Sequence, residues 1–271
     1  VCERAIALGA APREVARMFF EAELVPNAVS NEDGTRSGLV TGYYEPLLRG
    51  SRTRAAPFVH PVYAAPDDLL VIDLGAVSPE TRNLRLRGRL EGRRVVPYYE
   101  RADIEGGRAP LAGKEIVFVD DPVELFFLQV QGSGRVRLPD GTTVRLGYDD
   151  QNGHPYRSIG RYLVDRGEIT LAQASMQGIQ AWARANPQRL PELLNRNPSY
   201  VFFREVGDLP EALGPRGALG VPLTAERSIA IDPRFIPLGA PVYLATTRPN
   251  STTPLERLMM AQDSGGAIRG A

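Results

Sequence analysis

Leu258-Met259-Met260-Ala261-Gln262-Asp263-Ser264-Gly265-Gly266-Ala267-Ile268-Arg269-Gly270 is the stretch on which the reading of this chain turns. An apolar run ends on an acid, and two glycines follow almost at once. Such a run reads as a buried strand, and Gly-Gly lets the backbone turn sharply. The pattern places the Asp263 carboxylate at a strand end, where it can face a cleft. A carboxyl half-removed from water has its pKa raised and can serve as a general acid. The alternative is an Asp that caps the turn through backbone hydrogen bonds.

Working outward, the 271 residues allow two domains or one large one. The formal charge of +0 gives no sign of a nucleic-acid surface, and Lys114 is the only lysine among many arginines. Cys2 is the only cysteine, so no internal disulfide is possible, and no stretch reaches the length of a membrane span. The first residues lack a signal-peptide pattern, so any targeting segment is expected upstream.

The periodicities predict an α+β chain rich in β. Residues 12–24 read as an amphipathic helix with Val15, Met18, Phe19 and Ala22 packing on a core. Residues 38–48 read as a strand broken at Gly42 and Pro46, and 55–68 as a Pro/Ala-rich crossing between domains. Strands are expected at 69–74, 94–99, 115–119 and 124–131, with a hairpin at 135–146 turning on Pro139-Asp140-Gly141-Thr142. Helices follow at 155–166, at 171–185 behind a Thr170/Gln173 capping box, and after Asn186-Pro187. Strands return at 199–206, 227–232, 241–246 and 256–262. This order suggests a discontinuous outer domain, 1–55 plus 200–271, with an inner one, 56–199, inserted in it.

The polar constellations come next. Period two over 126–131 puts Gln129 and Gln131 on one strand face beside Gly132-Ser133-Gly134. Amides offer both donor and acceptor, which suits the hydroxyl and acetamido groups of a sugar polymer. A solvated edge strand explains the same pattern. Residues 148–156, which include Asn152 and Tyr156, form a dense polar loop of the kind that carries binding. His154 has no Cys or Glu near it at metal-ligand spacing, so neither metal nor cofactor is expected. Thr41, Tyr43 and Tyr44 supply a hydroxyl and two rings at a strand bend. Asp232, after Ser228-Ile229-Ala230-Ile231, either caps the Pro233-Arg234 turn or stands beside Asp263.

Taken in order, several segments resemble the membrane-bound lytic murein transglycosylase A family. They are Thr41–Pro46, Gln129–Gly134, Asn152–Gly160, Asn197–Phe203, Ile231–Gly239 and Asp263–Ile268. The resemblance implies a double-psi β-barrel with a second β-rich domain inserted, and a groove between them for a peptidoglycan glycan strand. Asp232 and Asp263 match the first two of the three aspartates for which the barrel part is named. The third, the family's catalytic acid, is expected just beyond Ala271, which leaves Asp263 as its supporting acid. Thr41, Tyr43, Tyr44, Gln129, Gln131, Ser133, Asn152 and Tyr156 are the expected glycan contacts.

The activity so implied is non-hydrolytic cleavage of the β-1,4 bond between N-acetylmuramic acid and N-acetylglucosamine, leaving a 1,6-anhydro end. The resemblance also implies export to the periplasmic side of the outer membrane, an anchor outside these residues, and a wall-remodelling complex as partner. A non-catalytic peptidoglycan-binding protein, or an inactive fragment, is the alternative. An aspartic protease fits poorly, because Asp232-Pro233-Arg234 is not a second Asp-Ser/Thr-Gly turn.

Overall fold

Asp121-Pro122 and Gly132 bracket the element on which the fold is built. In the computed structural model, the Asp121 side chain accepts the Val123 and Glu124 N–H groups at 2.7 and 3.1 Å. Pro122 occupies the first turn, where a missing N–H costs nothing. Gly132 closes the helix in the left-handed region, φ 79°. The result is α4, Pro122–Gln131, where alternation predicts a strand. The strand expected at 124–131 is therefore a helix. Its apolar residues face two ways: Leu125 and Leu128 pack on a sheet, and Val123 and Phe126 pack on helices. A helix covered on both sides loses its amphipathic period, and a short window of it imitates alternation.

The structure describes all residues except 43, 79–80, 82–85, 208, 211, 249–250, 266–267 and 271. Among the described residues, six strands form the largest sheet. They are β1 (Leu47–Ser51), β2 (His60–Tyr63), β6 (Glu115–Val119), β7 (Ser133–Arg137), β8 (Thr143–Gln151) and β9 (Val201–Glu205), in the order β2-β6-β1-β7-β8-β9. β1 runs parallel to β7, with Leu48 opposite Val136, and the other pairs are antiparallel. The sheet takes in strands on both sides of the boundaries expected at 55/56 and 199/200. Leu48, Val62, Val117, Val136, Leu146 and Phe203 are buried beneath α4.

A helical layer covers the other side of α4. It comprises α5 (Ile159–Asp165), α6 (Met176–Ala185) and α7 (Leu190–Asn195), which bury Ile159, Leu163, Trp182 and Leu193. The Thr170/Gln173 capping box is present, but it opens a 3-10 turn (Leu171–Gln173); α6 starts afresh on the Ser175 cap. Two three-stranded sheets complete the fold. One joins β3 (Leu70–Ile72), β4 (Leu86–Glu91) and β5 (Arg94–Pro97). The other has the order β10-β12-β11, from β10 (Ser228–Ala230), β11 (Pro241–Thr247) and β12 (Pro254–Asp263). A short helix, α3 (Arg101–Glu105), follows β5.

Three further expectations need correction. Among the described residues of 38–46 none lies in a strand; pairing begins at Leu47. The crossing at 55–68 contains β2, paired with β6. Two helices, α1 (Cys2–Ala7) and α2 (Arg13–Glu23), open the chain, and α2 buries none of its residues. Met18, expected in a core, is 68% exposed.

The Asp121 cap gives a direct test. Asp121→Ala removes the acceptor for two helix N–H groups and is expected to destabilise the protein by about 1 kcal/mol. Urea unfolding would measure the loss as a lower midpoint at unchanged slope.

Candidate functional site

Two acids leave one small sheet side by side. β10 lies parallel to β12, with Ala230 opposite Asp263. The Ile231 N–H donates to the Asp263 carbonyl at 3.0 Å. Asp263 therefore ends β12 as the sequence predicts, and Asp232 follows the end of the neighbouring strand.

The two carboxylates are engaged differently. Asp232 is only 2% exposed. Its Oδ1 accepts the Arg234 N–H at 3.1 Å, and its Oδ2 accepts Arg234 Nη2 at 2.7 Å and the Gly270 N–H at 3.0 Å. Asp232 thus caps the Pro233-Arg234 turn and also holds the chain at Gly270. The Arg234 guanidinium, helped by the Arg234 and Gly270 N–H groups, outweighs burial and lowers the Asp232 pKa well below its ordinary 3.8. This acid stays ionised and cannot donate a proton near neutrality.

The sign of the linkage is then fixed. A carboxylate whose folded pKa is depressed adds stability above its unfolded value, near pH 4, and loses it as pH falls further. Unfolding measured from pH 6 to pH 2 is expected to show a fall in stability below about pH 4, and Asp232→Asn is expected to flatten that fall.

Asp263 is half-buried and more open. Its Oδ1 accepts the Ala218 N–H at 2.9 Å. The loop before Ala218 lies hard against the strand end. A Cβ on Gly217 would stand 2.4 Å from the Gln262 carbonyl and 3.2 Å from Asp263 Cβ, so only glycine allows this approach. The Leu219 N–H donates to the same Gln262 carbonyl at 3.1 Å.

A second cluster forms at the C-terminal end of α4. The Tyr44 N–H donates to Gln131 Oε1 at 3.4 Å, and the Tyr44 hydroxyl donates to Met176 Sδ at 2.8 Å. The Tyr44 residue is 47% exposed, and partial burial of its hydroxyl raises its pKa. Close packing sets this corner. A Cβ on Gly134 would meet Leu128 Cδ1 at 2.4 Å and the Pro46 carbonyl at 3.0 Å, and the Arg135 N–H donates to that carbonyl at 2.8 Å. Ser133 is buried at the start of β7, and Thr41 is exposed. Tyr43 lies outside the described residues.

The two clusters share a connection that the sequence does not announce. Glu45, next to Tyr44, is ion-paired with Arg135 at 2.7 Å and with Arg145 at 3.2 Å. Arg145 donates in turn to the Pro210 carbonyl at 3.1 Å and to the Leu213 carbonyl. Those arginines pin the segment that runs on through Gly217 and Ala218 to Asp263.

Gln129 and Asn152, expected as groove residues, lie beneath the surface. Gln129 is 5% exposed and accepts Arg101 Nη2 at 2.6 Å. Arg101 is itself buried, between the rings of Phe126 and Tyr200, and donates to the Asn197 and Ser199 carbonyls at 3.0 and 2.8 Å. Asn152 is 1% exposed. Its Nδ2 donates to the Tyr99 and Pro198 carbonyls at 2.9 and 2.8 Å, and its Oδ1 accepts the Tyr200 N–H at 2.9 Å. Asn152 holds backbone in place directly, and Gln129 does so through Arg101. Residues 148–151, expected as loop, belong to β8; the loop proper starts at Asn152. Tyr156 stays on the surface, and burial of its hydroxyl raises its pKa.

Residues 39–204 match the family model described as the MltA specific insert domain, and residues 227–271 match the 3D domain. Fold and site together define an α+β protein of the class that pairs such an insert with a 3D unit. The membrane-bound lytic murein transglycosylase A of Escherichia coli K12 is 36% identical over 239 residues, 85% of this chain. The chain spans 56% of that protein. A membrane-bound lytic murein transglycosylase from Agrobacterium tumefaciens superposes with a TM-score of 0.81 at 33% identity, over 98% of this chain and 74% of that one. The E. coli MltA structure with bound chitohexaose gives 0.67 at 32% identity, over 85% and 62%. The chain belongs to the membrane-bound lytic murein transglycosylase A family.

Proposed function

We propose that this protein cleaves peptidoglycan glycan strands without water, at the bond between N-acetylmuramic acid and N-acetylglucosamine. The observation that carries the reading is the half-buried Asp263 at the end of β12, held by the Ala218 N–H and tied through 210–218 to the Tyr44/Gln131 corner. An acid and an amide–aromatic platform joined by one segment suit a polymer that must be gripped and protonated. The chitohexaose bound to E. coli MltA is a sugar chain of that kind.

In the proposed reaction one carboxylic acid protonates the leaving glycosidic oxygen as its bond to C1 breaks. The C6 hydroxyl oxygen of the same muramyl unit bonds to C1, and its proton returns to the carboxylate. Atoms balance without water, and the tethered nucleophile needs no capture from solution. The proton donor is the aspartate expected beyond Ala271. Asp263 is its neighbouring carboxylate, which raises the donor's pKa by like-charge repulsion. Asp232 orients the backbone at Gly270, on the way to that donor. Tyr44, Gln131, Thr41 and Tyr156 line the glycan path. Asn152 fixes the backbone beneath it, Gln129 does so through Arg101, and Ser133 is buried there.

The double-psi barrel belongs to this reading as the unit around β10–β12. The inserted domain is widened to take in β1 and β9, which share its sheet; the matched residues 39–204 include β1 and all of β9 but its last residue. Placement at the periplasmic side of the outer membrane rests on the family's membrane-bound members. Among the described residues no helix is long and apolar enough to cross a membrane.

Incubation with murein sacculi, followed by mass spectrometry of the released muropeptides, tests the reading. Anhydro-muropeptides are the expected products. Products carrying oxygen from labelled water would mean hydrolysis, and retention on sacculi without products would mean a binding protein.

A further inference from the structure

A recess lies beside Asn152, apart from the Asp263 and Tyr44/Gln131 clusters. It has a volume of about 300 Å³ and is lined by Glu100, His154, Arg157, Asn195 and Arg196, among others. Three elements meet there: the residue that caps α3, the loop after β8, and the C-terminal end of α7.

Its charges are unusual in that they do not cancel each other. Arg196 is occupied, donating to Glu192 at 2.6 Å and stacking on the Tyr162 ring at 4.9 Å. Glu100 caps α3 through its backbone and makes no side-chain cap bond. Among the described residues no ion pair joins Glu100 to Arg157, and neither side chain has another charged partner. A free carboxylate and a free guanidinium therefore share one small recess at more than ion-pair distance.

The walls are held firmly. The Arg157 N–H donates to Asn197 Oδ1 at 3.0 Å, and Asn197 is buried. His154 Nε2 lies 2.7 Å from the Tyr98 carbonyl. A carbonyl only accepts, so Nε2 carries a hydrogen, and Nδ1 of the neutral ring is an acceptor. The recess thus offers a cation, an anion and an imidazole ring on a fixed frame. That set complements a zwitterionic amino-acid unit: its carboxylate to Arg157, its ammonium to Glu100 and His154 Nδ1. The volume suits one or two amino-acid residues rather than a sugar chain.

We propose that this recess binds the peptide stem of the wall polymer through a zwitterionic amino-acid unit, separately from the groove that holds the glycan. The assignment rests on the peptidoglycan reading above. A stem seated here would fix which part of a cross-linked strand the protein engages.

Calorimetric titration of the full chain with three probes tests it. They are the tetrapeptide L-alanyl-γ-D-glutamyl-diaminopimelyl-D-alanine, free diaminopimelate, and chitohexaose. The tetrapeptide is expected to bind. Arg157→Ala and Glu100→Gln are each expected to weaken it about tenfold, the effect of one charged hydrogen bond. Arg157→Lys is expected to restore part of the loss, and chitohexaose affinity is expected to stay unchanged in all three variants. Both positions are on the surface, and an unchanged urea midpoint shows that the fold is intact.

Absence of tetrapeptide binding to the wild type, or equal binding to wild type and Arg157→Ala, overturns the proposal. Free diaminopimelate binding as tightly as the tetrapeptide overturns the stem in favour of a free amino acid. Failure of chitohexaose to bind the wild type strikes the glycan reading instead, and leaves the peptide titration to be judged by its own variants.

Discussion

Arg101→Met is expected to destabilise the protein by about 4 kcal/mol, because it strips a buried cation from the acceptors it serves. The residue is 2% exposed. Its guanidinium serves Gln129 Oε1, the Asn197 and Ser199 carbonyls, and the Glu105 carboxylate at 3.0 Å. Methionine fills similar volume but satisfies none of them, and each orphaned acceptor carries its own desolvation cost. Phe126 and Tyr200 would also lose the cation between their rings. Against a total stability of roughly 5–15 kcal/mol, a loss of that size is severe. A control sets the scale. Arg161 pairs with Asp165 at 2.7 Å on the surface, and Arg161→Ala is expected to change stability by about 0.5 kcal/mol or less. Equal urea midpoints for the two variants would show that Arg101 is not the central tie between α4 and the Asn197–Tyr200 segment.

Asp263→Asn is the second large effect, and it falls on chemistry rather than stability. Asn keeps the shape, and its carbonyl oxygen still accepts the Ala218 N–H, so the fold is expected to hold. In the proposed reaction the negative charge assigned to raising the donor's pKa is then gone. Release of anhydro-muropeptides from sacculi is expected to fall on the order of 100-fold at neutral pH, the scale of a mis-tuned general acid. The residual activity is expected to shift to lower pH, because a donor without a like-charged neighbour is protonated only there. An Asp263→Asn protein with wild-type turnover and pH profile refutes the role. Asp232→Asn gives a useful contrast, since Asp232 bonds the backbone at Gly270 and its loss is expected to cost stability near neutral pH, a cost that fades in acid.

The two variants also show what a sequence can and cannot reveal. The end of β12 is legible because an apolar run, an acid and two glycines are local signals, and each acts over a few residues. The hairpin from β7 to β8 is legible for the same reason. The 124–131 segment misleads because α4 is buried against the sheet and the helices together. Its true signals, Asp121-Pro122 before it and Gly132 after it, stand outside the window in which alternation is counted. Gln129 and Asn152 mislead differently. A buried amide that satisfies backbone and an exposed amide that binds sugar are the same letter, and only the partner, here Arg101 or Pro198, tells them apart. Arg101 and Gly217 carry no local pattern, because what each does depends on residues distant in the chain: Arg101 lies 28 residues from Gln129 and 98 from Ser199.

β9 has a consequence for the way the polypeptide is made. Phe203 closes the core under α4, and its neighbour Phe202 closes the cluster around Tyr98. Both rings belong to a strand that enters the sheet beside β8, some fifty residues after that strand has been synthesised. Until the ribosome has delivered Val201–Glu205, two apolar surfaces stay open and β8 presents a bare edge, which is the condition under which nascent chains stick to one another.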